Sequence, residues 1–258
     1  MARPHGFDHF CNYLKGLEDH YVIIGGGAAA ILMDDEGLEF RATKDVDLVV
    51  IGRSNDLNER VLSYVKEGGY NSKEVTNTLP QYYRFKNPIK VEYPKMIEIF
   101  SRNKFNLELK EGQHIIPITE SSSEMLSAIL LDDEYFDLIR QNIQISESGI
   151  PLINALGNIC LKARAHRDLF ERKQSGEQYI DEKDIQKHLK DIWRLAVVLT
   201  GEETIILTGV PAKDIINAIR KLEKLPETQF KQVMEKTPAQ LRDVMGVLRK
   251  VFLGEGFP

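Results

Sequence analysis

The stretch Tyr21-Val-Ile-Ile-Gly-Gly-Gly-Ala-Ala-Ala-Ile-Leu-Met33, followed by Arg41-Ala-Thr-Lys-Asp-Val-Asp-Leu-Val-Val-Ile51, decides the fold. Tyr21 to Ile24 has the continuous apolar character of a short buried strand. Gly25, Gly26 and Gly27 break it, Ala28 to Met33 reads as a helix, and Gly37 closes that helix. A second strand runs from Asp45 to Ile51, and Asn58 to Lys66 reads as a helix ending at Gly68-Gly69.

A glycine turn between a strand and a helix offers free backbone N–H groups and the positive end of a helix dipole, an arrangement suited to a triphosphate. Gly25 and Gly26 are the candidates for that role, although a bare tight turn would call for the same glycines. Asp45 and Asp47 are two apart on a strand, so both project from one face. Paired carboxylates of this kind can share two magnesium ions about 3.5 to 4 Å apart, as nucleotidyl and phosphoryl transfer require. A third acid usually completes such a cage. Glu98 is the foremost candidate, because it interrupts the apolar strand Met96-Ile-Glu-Ile-Phe100, and Glu92 is the second. Arg41 and Thr43 precede the carboxylates, where a guanidinium could grip phosphate and a hydroxyl could hold the turn.

Gly25, Gly27 and Ala30 also satisfy the Gly-x-Gly-x-x-Ala spacing of dinucleotide-binding folds, with an acid about twenty positions later. In those folds the acid follows the apolar residues of the second strand. Here Asp45 and Asp47 come first and Leu48 to Ile51 follow, which favours the paired-carboxylate reading.

Further strands are expected at Gln81 to Phe85 and Met96 to Phe100, with a loop or edge between them where Pro88 and Pro94 fall. A strand candidate at His114 to Ile118 precedes Ser121-Ser-Ser-Glu124, which has the form of a capping box opening the run Met125 to Leu131. From about Pro151 the pattern becomes long amphipathic helices: Leu152 to Arg172, Asp181 to Leu199, Ala212 to Leu222, and Pro238 to Phe252 with Thr237 as cap. The expected division is therefore an α/β domain over residues 1–150, with a mixed sheet, and an all-helical domain over residues 151–258.

Composition fits an ordinary folded protein, with 42% hydrophobic and 28% charged residues in 258. No apolar run approaches the roughly 18 residues needed to span a bilayer, and Met1 to Phe7 lacks a signal-peptide pattern, so a cytoplasmic protein with no membrane partner is expected. Cys11 and Cys160 read as plain buried thiols. The net charge of -5 divides unevenly: residues 1–150 carry 16 basic and 24 acidic groups, and residues 151–258 carry 18 and 15. The first part is thus a poor general polyanion surface, while the second could contact phosphates. His5 and His9, at i, i+4 spacing without a third ligand, read as surface residues.

Taken together, the Gly-Gly turn and Asp-x-Asp resemble the signature of polymerase β-type nucleotidyltransferases. Within that superfamily the chain looks most like the AbiEii/AbiGii toxins of type IV toxin-antitoxin systems, which join a nucleotidyltransferase core to a helical C-terminal domain. The core likeness covers roughly residues 20–100. It implies a polymerase β-like core with Gly25, Gly26, Asp45 and Asp47 as the nucleotide and metal site and Glu98 as the third acid. The resemblance continues less closely in Leu161-Lys-Ala-Arg-Ala-His-Arg-Asp168 and Lys183-Asp-Ile-Gln-Lys-His188. Relatives commonly have Arg-Asp-x-x-Asp at the later motif, whereas this chain has Lys187 at the final position, with His188 next and Asp191 beyond, which leaves the role of Asp184 open.

Lys162, Arg164, His166 and Arg167 share one expected helix, and Lys183, Lys187 and Lys190 recur at helical spacing on another. Such stripes usually face water; lining the cleft between the domains is the alternative, with Lys162 clamping triphosphate. The expected function is transfer of a nucleotide from a nucleoside triphosphate to an acceptor hydroxyl, with two Mg2+ ions. By resemblance the acceptor is RNA, tRNA above all, and an antitoxin is the partner. Two alternatives stand beside it: a small-molecule nucleotidyltransferase of the antibiotic-modifying type, and a nucleotide-binding module without catalysis.

Overall fold

The computed structural model describes residues 3–52, 54–74, 81–101, 133–176, 180–226 and 243–254. The chain forms two compact units, one of Met1–Ile31 and Arg41–Ile153, the other of Leu32–Phe40 and Asn154–Pro258.

The first unit is α/β. It contains helix α1 (Phe7–Tyr13), strand β1 (Tyr21–Ile24), the start of helix α2 (Gly25–Asp35), β2 (Asp45–Val50), α3 (Asn55–Gly68), β3 (Asn71–Glu74), β4 (Gln81–Lys86), β5 (Met96–Ser101), α4 (Asp133–Gln141), β6 (Ile143–Ile145) and β7 (Pro151–Ile153). The strands form one mixed sheet in the order β3-β4-β5-β2-β1-β7-β6. At its centre β2 runs parallel to β5 and antiparallel to β1. β1 is parallel to β7, and β3, β4 and β6 each join antiparallel to a neighbour.

Local chemistry explains these elements. All four residues of β1 are buried, as their unbroken apolar run requires of a central strand. In β2 the buried positions Val46 and Leu48 alternate with the half-buried Asp45 and Asp47 before both faces become covered at Val49 and Val50. α3 starts where the Ser54 side chain accepts a hydrogen bond from Leu57 N at 3.1 Å. It ends at Gly69, whose φ of 65° is the left-handed conformation favoured at helix ends.

The structure departs from the sequence expectation at two junctions. The glycines are not a separate turn, because α2 already begins at Gly25, whose φ of +67° redirects the chain in a single residue. Pro151, Leu152 and Ile153 form a buried strand rather than the start of a helix, with Leu152 in register with Ile23. Proline is tolerated there because it occupies the strand's first position. The short elements α1, β3, α4 and β6 are additions to the expected set. The candidates at His114–Ile118, Ser121–Glu124 and Met125–Leu131 lie outside the described residues. Cys11 and Cys160 are free and buried, as expected.

The second unit is helical: α5 (Ala155–Gln174), α6 (Glu182–Ala196), α7 (Gly209–Lys224) and α8 (Val244–Leu253). α5 packs on α6 and α7, and α8 packs on α7 and α6. Asn154, Asp181 and Asp243 cap α5, α6 and α8 by accepting backbone N–H bonds. The expected cap at Thr237 lies outside the described residues, and Pro211 sits inside the first turn of α7, where its missing N–H costs little. No helix among the described residues is long and apolar enough to cross a membrane.

Buried charge holds this unit together. The Asp191 carboxylate, fully enclosed, lies 3.1 Å from Arg194 and 3.6 Å from Lys162. Asp214 is likewise enclosed and meets Arg167 at 2.6 Å and Arg164 at 3.5 Å. His166, on the same helix as Lys162, Arg164 and Arg167, is 3% exposed. Its Nδ1–H donates to the Ile185 carbonyl at 3.1 Å.

Burial pushes the His166 imidazole down to about 4 from its ordinary 6.5. The native state therefore holds fewer protons than the unfolded chain between those values, so stability is full above about pH 6.5 and falls as pH drops toward 4. The expected loss is on the order of 3 kcal/mol. A series of denaturant melts across that interval should show this slope, and it should flatten in His166→Gln.

Candidate active site

Strand register assembles the carboxylates. Asp45 and Asp47 share one face of β2, and in the parallel pairing with β5 Asp47 stands opposite Glu98. On the other side Asp47 is in register with Ile24, the last residue of β1. β4 adds Arg84, in register with Glu98. One rung of the sheet thus reads Ile24, Asp47, Glu98, Arg84 across four strands, with Asp45 two rungs away on the same face.

The glycine turn abuts this rung. A side chain on Gly25 would collide with the Asp47 carboxylate, and a Cβ on Gly26 would lie 2.6 Å from the Thr43 hydroxyl oxygen. The absence of side chains at these two positions keeps the backbone close to Asp47 and Thr43. Gly25, Gly26, Thr43, Asp45, Asp47 and Glu98 are therefore brought together in one place. Arg41 is half-buried nearby in sequence, with its guanidinium 3.4 Å from the Ala42 carbonyl.

Glu98 is not left open to a ligand in this structure. Its Oε1 accepts from Arg84 Nε at 2.5 Å. The two side chains are 7% and 2% exposed. Among the described residues no group of three or more His, Cys, Asp or Glu side chains is disposed to hold a metal ion. The fit to a divalent cation thus rests on Asp45 and Asp47: two hard oxygen donors on one sheet face, with the Asp47 carboxylate packed against Gly25 and its Oδ1 buried without a hydrogen bond among the described residues. Glu98 stands on the right face but is engaged by Arg84.

Glu92 is exposed in the loop between β4 and β5. Lys162 belongs to the second unit, where it is 7% exposed and pairs with Asp191. Arg164 and Arg167 pair with Asp214 rather than forming a free basic stripe. Lys183, Asp184 and Lys187 face water, and Lys190 and His188 are half-buried. His5 and His9 are exposed, with ring nitrogens on the Val91 carbonyl and the Tyr64 hydroxyl.

Arg84 and Asp214 are the residues that sequence reasoning passes over. A signal for Arg84 exists in Gln81-Tyr-Tyr-Arg-Phe-Lys86, where a cation interrupts an aromatic strand as Glu98 interrupts its own. A cleft of about 540 Å3 opens near Tyr21, at the other end of β1, lined by Arg3, Asp8, Glu18 and Glu147 among others and by none of the three carboxylates.

The sequence matches no family model and no curated protein. Among solved structures, the chain is similar over 93% of its length to 99% of an antigenic nucleotidyltransferase-like protein from Paracoccidioides brasiliensis, at 13% identity and a TM-score of 0.42. It is similar over 97% of its length to the Megavirus polyadenylate synthase, at 11% identity and a TM-score of 0.34, and spans 50% of that chain. A likeness to the Cid1 poly(U) polymerase covers 97% of this chain and 66% of that one, at 14% identity and a TM-score of 0.29. These likenesses are distant, and the reading of the site stands on its own residues.

Proposed function

We propose that this chain is a nucleotidyltransferase of the polymerase β type, with Asp45 and Asp47 as the residues that hold divalent metal. The observation that supports this most is the juxtaposition of Asp45, Asp47 and Glu98 on one sheet face beside the Gly25-Gly26 turn. Bound magnesium would supply charge neutralisation for the triphosphate and a more acidic acceptor hydroxyl. The chain's own part is positional. Backbone N–H groups at the start of α2 face the phosphates, with the helix dipole favouring their charge. The acceptor oxygen forms a new bond to the α-phosphorus, the bond from that phosphorus to the bridging β-phosphate oxygen breaks, and pyrophosphate leaves. Glu98, on the same rung as Asp47, takes the proton of the acceptor hydroxyl.

The resemblance to AbiEii/AbiGii toxins extends this to an RNA acceptor, with tRNA first, and to an antitoxin partner. A small-molecule acceptor is the second reading, favoured by the acidic balance of residues 1–150. Incubation with labelled nucleoside triphosphates, Mg2+ and total RNA separates the two. A tRNA-sized labelled band that disappears when the RNA 3′ ends are oxidised with periodate is the expected result. Label confined to small products would transfer the assignment to a small-molecule acceptor.

A further inference from the structure

Arg84, which donates to Glu98, is the residue beside this site to which the proposed reaction assigns no part. Arg84 is 2% and Glu98 6% exposed, so the contact is made away from bulk water, where a charge cannot be left without compensation. The register of β4, β5 and β2 fixes the geometry: Arg84, Glu98 and Asp47 are lateral neighbours on one face. A guanidinium is always charged, so it offers Glu98 the same electrostatic service that a metal ion would.

Resting on the nucleotidyltransferase reading, we propose that Arg84 is a positioning residue that acts as a resident counter-cation for the third carboxylate. It withholds Glu98 from a divalent cation in the nucleotide-free protein. The Arg84–Glu98 contact then joins opposite charges, and Glu98 adds little to the pull of Asp45 and Asp47 on the cation. Removing the guanidinium while keeping a donor for Glu98 frees a third negative charge beside the other two.

The test is direct binding of Mn2+ to the full chain without nucleotide, read from loss of the free-ion electron paramagnetic resonance signal. Arg84→Gln, which can still donate to Glu98, is expected to bind Mn2+ about tenfold more tightly or better, because a nearby positive charge is gone. Arg84→Lys should stay within about threefold of wild type, since charge and not shape is the operative property. Arg84→Gln combined with Glu98→Gln removes a neutral pair and should also stay within about threefold. Affinity unchanged or weakened in Arg84→Gln, or a large loss in the double variant, would overturn the inference, the latter because it would make Glu98 a ligand already in wild type. The double variant carries no charge at either position, and if Arg84→Gln fails to fold its affinity still shows whether Glu98 is withheld from the cation in wild type. Asp45→Asn with Asp47→Asn separates the two levels. If that variant binds Mn2+ as wild type does, the metal-site reading itself fails, whereas a large loss there together with an indifferent Arg84→Gln removes only the role of Arg84.

Discussion

Asp45→Asn combined with Asp47→Asn is expected to fold as wild type does and to lose nucleotidyl transfer by about a thousandfold or more. The factor follows from the several kcal/mol that metal-assisted charge stabilisation contributes, at roughly a tenfold rate change per 1.36 kcal/mol. Folding should survive because both residues are half-buried at the open end of an otherwise covered strand, and each substitution exchanges one oxygen for a nitrogen of similar size. The melting temperature should therefore stay close to that of wild type. Measured transfer rates and thermal melts of the purified variant check both halves. Retained activity would remove the carboxylates from the chemistry, and an unfolded variant would make their role structural.

The second large effect belongs to the helical unit. Asp191→Ala is expected to cost about 3 to 5 kcal/mol, the usual consequence of breaking a buried ion pair from one side. Asp191 has no exposed surface, and its partner Lys162 has little, so the ammonium left behind stays out of water. Arg194, whose side chain is 20% exposed, can turn outward and suffers less. Lys162→Met should cost less than Asp191→Ala, because Arg194 remains 3.1 Å from the carboxylate. The double change Asp191→Leu with Lys162→Met should recover much of the loss, since well-packed apolar replacements of buried pairs are often near neutral. Denaturant unfolding of the three variants measures this. A cost below about 1 kcal/mol for Asp191→Ala would show that the pair is dispensable.

How far the sequence speaks for itself differs from one element to the next. β1 and β2 are legible because a central strand needs an unbroken apolar run and the acids at its mouth break the pattern visibly. The helices of the second unit are legible from their period, while the caps Asn154 and Asp243 are not. β7 is not, since three residues beginning with proline carry too little pattern and only pairing with β1 makes them a strand. The site divides in the same way. Asp45 and Asp47 declare themselves by local spacing. That Glu98 stands beside Asp47 depends on a parallel pairing between strands far apart in the chain, and that Arg84 meets Glu98 depends on an antiparallel register. Neither register is written in local sequence. Lys162 shows the converse: helical spacing and charge nominate it, but only packing reveals the buried Asp191 beside it.

The central claim is tested most directly by position-specific labelling of the triphosphate. Wild-type protein, Mg2+ and total RNA are incubated in parallel with α-labelled and γ-labelled nucleoside triphosphate, with the double Asp45, Asp47 variant as control. Nucleotidyl transfer predicts label in the product from the α position only, the γ label leaving as pyrophosphate, and no product with the variant. Label transferred from the γ position would mean phosphoryl transfer, and equal incorporation by the variant would contradict the assignment of Asp45 and Asp47 to the reaction.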